Sequence, residues 1–173
     1  MSLTPLGIVH TSISLVALAA GIVALYRYRH IQWGNAVGKV YIAATVLTCL
    51  TGFGIFQHGG FGKPHALGIV TLVVMALAVG TELRGWFGAR AGYVSTVAYS
   101  MTFLFHWIPG ITETTTRLPV GSPIFSSPEA TGLQVIAACL FVLYLLGAAW
   151  QLVDLRGAAM ASGEEEENVP LPR

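Results

Sequence analysis

The chain has 173 residues, of which 54% are hydrophobic and only 10% charged, and its formal net charge is +1. Soluble domains carry roughly a quarter of their residues as charges, so a soluble single-core protein fits poorly, and no basic stripe of the kind nucleic acid requires is present. Cys49 and Cys139 both fall inside apolar runs and read as buried thiols rather than a disulfide framework.

A hydrocarbon core about 30 Å thick takes about 20 mainly apolar residues per helix, and five stretches answer to that length. Residues 6–26 carry no charge, and basic residues follow rather than precede them, so they read as a span and not as a signal peptide. Residues 40–56 are short but can extend through 36–38. Residues 66–81, 91–108 and 133–153 complete the set. The fold expected is an all-α integral membrane bundle of five transmembrane helices, occupying residues 1–156.

The short loops give the orientation. Arg27, Arg29, Lys39, Arg84, Arg90 and Arg156 fall on one side, against Lys63 and Arg117 on the other. The N-terminus is therefore expected outside and the C-terminus in the cytoplasm, in a bacterial inner membrane with the lipid bilayer as partner. Pro109–Gly110 should end the fourth helix and open an outer loop over residues 109–132, long enough to cover the bundle mouth. Residues 157–173, ending "SGEEEENVPLPR", read as a disordered acidic tail.

With this topology four of the five histidines share the outer side. His10 lies about one turn inside the first helix, His58 ends the second, His65 begins the third and His106 lies near the end of the fourth. His58 and His65 bracket the glycine-rich break "FQHGGFGKPH". An ionisable residue below the interface marks a functional site, which singles out His10 and His106. The competing reading is a helix–helix hydrogen bond. Two successive hairpins repeat the same histidine placement, as a duplicated hairpin would.

Neutral imidazole ligates metals and haem iron, and bundle cores are where ligands converge from facing helices. The candidate cofactor-binding residues are His10, His58, His65 and His106. Opposed haem ligands would be His10 with His65, or His58 with His106. A zinc or copper site would draw on His10, His65 and His106, with Glu113 or Glu129 adding a carboxylate. Glu113 can also pair with Arg117, and Gln134 can donate to the cluster. Glu82 reads as a solvated residue at the cytoplasmic end of the third helix. No P-loop or serine nucleophile elbow occurs.

The segments "GIVHTSISLVALAAGIVALYR", "HIQWGNAVGKVYIAATVLTCLTGF" and "KPHALGIVTLVVMALAVG" resemble a group of uncharacterised bacterial multipass membrane proteins, with His10, His30, Gly38 and His65 as the matching positions. The resemblance implies a multipass bundle and no particular activity. The histidine arrangement is also loosely similar to the bis-histidine membrane cytochromes b, although the cytoplasmic side lacks intramembrane histidine. The function expected is a membrane redox or electron-transfer protein binding b-type haem or another metal, with quinone or a redox partner. A zinc-dependent membrane hydrolase and a non-catalytic accessory subunit are the alternatives.

Overall fold

A computed structural model of the chain describes residues 4–56 and 60–167. They form five α-helices, α1 (Pro5–Tyr28), α2 (Ala36–Gly52), α3 (Lys63–Arg84), α4 (Ala91–Arg117) and α5 (Thr131–Glu167), with one short 3-10 turn before α4. No strand occurs among the described residues. α1, α3 and α5 are long and apolar enough to cross a membrane, and α2 is a shorter apolar helix.

The helix ends follow local chemistry. Thr4 caps α1 by accepting from the Gly7 N–H at 3.1 Å, and Pro5 occupies the first turn, where its missing N–H costs nothing. Asn35 caps α2 in the same way, with its Oδ1 2.7 Å from the Gly38 N–H. A side chain at Gly38 would place its Cβ 1.8 Å from the Gln32 carbonyl oxygen, so the α1–α2 turn requires glycine there. α3 closes on Gly85 in the left-handed conformation, at φ 66°.

α4 departs from expectation. Pro109 lies inside it, and the helix runs on to Arg117. Proline removes one backbone donor, yet the helix continues past it, and Thr112, Thr114, Thr115 and Thr116 each turn their hydroxyl to the carbonyl four residues back. The helix stops instead at Leu118, whose extended backbone precedes Pro119. The outer connection thus spans 118–130 rather than 109–132. α5 also outruns its expected end, so the residues from 157 to 167 are helical, and the last six lie outside the described residues.

Consecutive helices pack on one another: α1 on α2, α2 on α3, α3 on α4 and α4 on α5, with a smaller α1–α4 contact. α5 touches α4 alone among the helices. The starts of α1, α3 and α5 and the ends of α2 and α4 therefore share one end of the bundle. Small residues make the close approaches, with Ala17, Ala20, Gly21 and Ala24 of α1 buried. Tyr41 and Tyr99 are the largest fully buried side chains. Outward-facing positions are large and apolar, as at Leu15 and Val16 of α1 and Leu143 and Leu146 of α5. Cys49 is buried, but Cys139 is exposed on α5, which corrects the expectation of two buried thiols.

Candidate functional site

At the shared histidine end, α2 supplies a row of threonines that hold histidines from the helices on either side. His10 of α1 places Nδ1 3.1 Å from Thr51 Oγ1. The Thr51 hydroxyl lies 2.8 Å from the Leu47 carbonyl oxygen and 3.1 Å from that of Thr48. Its single hydrogen goes to a carbonyl, so its oxygen accepts from His10 Nδ1–H. The neutral ring then carries its lone pair on Nε2.

His106 of α4 is held one turn deeper. Its Nε2 lies 3.0 Å from Thr45 Oγ1. Tyr41 Oη lies 2.8 Å from Thr102 Oγ1, and Thr102 donates to the Tyr99 carbonyl oxygen at 2.7 Å. Because Thr102 spends its hydrogen on that carbonyl, Tyr41 must donate to Thr102. The Tyr41–Thr102–Tyr99 relay and the Thr45–His106 bond thus lie one helical turn apart along α2.

Thr45 and Thr102 are fully buried and His106 is 6% exposed, so each of these groups depends on its partner. The two α2–α4 bonds, Tyr41–Thr102 and Thr45–His106, both join residues 61 apart, because the second and fourth helices run parallel in register. Tyr41 also presents its ring edge to His106, with centroids 6.1 Å apart. His10 and His106 lie near enough to interact electrostatically, and His10 senses Glu113 in the same way.

The other expected residues fall differently. His65 is buried between two rings, stacked on Phe56 at 5.0 Å and tilted against Phe61 at 5.4 Å. Its Nδ1 accepts from the Gly62 N–H at 3.3 Å, which makes Nε2 the protonated nitrogen, a donor rather than a metal ligand. That Nε2 has no partner among the described residues. His58 lies outside the described residues. Glu113 is paired with Arg117 one turn on, as expected, and Glu129 meets Lys63 at 3.4 Å. Gln134 donates to the Glu129 carbonyl oxygen and not to the histidines. Among the described residues no three His, Cys, Asp or Glu side chains gather around one point.

The opposite end holds a second polar centre. Glu82 Oε2 accepts from the Trp33 N–H and from the Tyr99 hydroxyl, both at 2.8 Å. Glu82 is thus a junction of the α1–α2 turn, α3 and α4, which corrects its reading as a solvated residue. The threonines and Tyr41 were not singled out from the sequence, although Tyr41, Thr45 and Thr48 recur at helical spacing within an apolar run, a pattern that marks one polar face. Comparison with protein-family models, with curated proteins and with solved structures finds no match for this chain.

Proposed function

We propose that the chain is an integral membrane protein of five transmembrane helices, N-terminus outside and C-terminus in the cytoplasm of a bacterial inner membrane. We further propose that it works as a redox or electron-transfer protein, binding b-type haem or another metal through His10 and His106. The bundle's inverted polarity supports the membrane reading. Its interior is rich in Thr, Ser and small residues, while its outer surface carries Leu, Val, Ile and Phe. In lipid, helices associate through small residues and interhelical hydrogen bonds.

The observation that carries the redox reading is the contact of His10 Nδ1 with the Thr51 hydroxyl. A ring whose Nδ1–H is held by a protein oxygen offers Nε2 as a base of fixed direction, the usual arrangement behind a ligating histidine. His106 adds a second free nitrogen close by. A zinc hydrolase asks for three protein ligands, and the described residues assemble no such group, so the geometry favours a two-histidine group. A bound haem or transition metal would supply one-electron chemistry. This chain's residues would orient the rings, fix their hydrogens and keep water out with Tyr41 and its neighbours.

The test is the absorption spectrum of gently purified protein, oxidised and dithionite-reduced, with metal analysis of the same sample. A Soret band with sharpened reduced α and β bands is the expected result. A protein that stays colourless and metal-free after reconstitution with haemin and with copper would overturn the redox reading.

A further inference from the structure

At the end of the bundle away from the histidines, the start of α4 and the later turns of α5 enclose a cleft of about 730 Å³ lined by Arg90, Tyr93, Leu152, Val153 and Arg156. Its two cations come from different helices. Two acids of this end are committed elsewhere: Asp154 is paired with Arg29, and Glu82 serves Trp33 and Tyr99. No ion pair to Arg90 or Arg156 occurs among the described residues. The lining of the cleft thus holds two arginines and no carboxylate.

Its polarity is graded along the bundle axis. The arginines lie at the outermost level. Tyr93 follows about one turn inward from Arg90, and Leu152 lies one turn inward from Arg156 on the same face of α5. Tyrosine suits the headgroup level of a bilayer, and the leucine and valine offer an apolar wall below it. Arginine's planar fork matches phosphate oxygens two at a time.

We propose that this cleft binds the headgroup of an anionic phospholipid, with its phosphate between Arg90 and Arg156, its ester region beside Tyr93 and an acyl chain along Leu152 and Val153. Free phosphate shares the arginine chemistry but leaves the apolar wall bare, so the graded lining selects the lipid. This assignment rests on the membrane reading above and is independent of any cofactor.

The full chain in detergent micelles is assayed by native mass spectrometry and thermal unfolding, with phosphatidylglycerol, phosphatidylcholine and inorganic phosphate as separate additions. Phosphatidylglycerol is expected to be retained and to raise the melting temperature by about 3 °C or more. Arg90→Gln and Arg156→Gln should each weaken its retention about fivefold, the effect of one basic residue near a membrane surface. Both side chains are exposed, so the variants fold. Arg84→Gln, an exposed cation outside the cleft, should change nothing. Equal retention of both lipids, or no loss in either cleft variant, overturns the proposal. A phosphate-induced rise as large as the lipid's would assign the cleft to a soluble anion and overturn it as well. Release of the chain from membranes by alkaline carbonate is a separate failure, of the membrane reading itself.

Discussion

His10 Nδ1 and Thr51 Oγ1 meet at 3.1 Å across the seam between the first two helices, and that contact decides which nitrogen of the ring is basic. Thr51→Ala removes the acceptor and lets the imidazole change tautomer and rotate. Loss of such a supporting group costs metal affinity about tenfold or more. Haemin or copper titration should show that weakening in Thr51→Ala, whereas Thr51→Ser, which keeps the hydroxyl, should bind as wild type. Equal affinity in Thr51→Ala would remove the tautomer argument.

Tyr41 donates to the buried Thr102 hydroxyl, which spends its own hydrogen on the Tyr99 carbonyl. Tyr41→Phe deprives Thr102 of its donor. An unsatisfied buried group costs about 1–3 kcal/mol, and each kcal/mol lowers the melting temperature by about 2–4 °C in a chain of this size. Thermal unfolding in detergent should therefore show a drop of several degrees. An unchanged midpoint would mean that water or a local shift replaces the phenol.

Gly38 and Gly34 make a matched pair in the α1–α2 turn. A Cβ at Gly38 meets the Gln32 carbonyl oxygen at 1.8 Å, whereas one at Gly34 meets nothing within 4 Å. Gly38→Ala should cost about 4 kcal/mol or more, at the severe end for single substitutions, and reduce the yield of folded protein sharply. Gly34→Ala should express and melt as wild type. Size-exclusion profiles of the two variants compare them directly.

The junction at the other end should fail by degrees. Glu82→Gln keeps an oxygen that can accept from Trp33 N–H or Tyr99, and Glu82→Leu keeps none. Hydrogen exchange at the Trp33 amide should rise modestly in the first variant and strongly in the second. Equal exchange in both would show that Glu82 does not hold the turn.

Acid should loosen the start of α5. The Glu129 carboxyl is held below the usual carboxylate range, first by the Ser127 hydroxyl at 2.8 Å and then by Lys63. A depressed value means that the link is fully present above the unfolded-chain value of about 4.3 and is lost as pH falls through the lower folded value. Hydrogen-exchange protection over residues 129–134, relative to the intrinsic rate at each pH, should fall below about pH 4. Glu129→Gln should remove the acid-dependent part. The pair is solvent-exposed, so the effect should stay local.

How much of this was legible in the sequence depended on whether the cause was local. Five helices follow from five apolar runs, since run length is a property of contiguous residues. The end of α4 does not, because a proline inside a helix weakens it without always ending it, and the stop comes at Leu118 before Pro119. Glu82 looked solvated because its partners lie 17 and 49 residues away. The nearness of His10 to His106 was equally hidden: it needs α1 and α4 to meet directly at a particular rotation, which no periodicity within one run encodes. The Glu113–Arg117 pair, four residues apart on one helix, was readable for the opposite reason.

α5 packs on α4 and ties to Arg29 at the end of α1, whereas the histidine–threonine network draws on α1, α2 and α4 only. Every residue of that network precedes Arg117, and α5 begins at Thr131. The whole cluster is therefore encoded before the last helix begins, and α5 contributes no side chain to it.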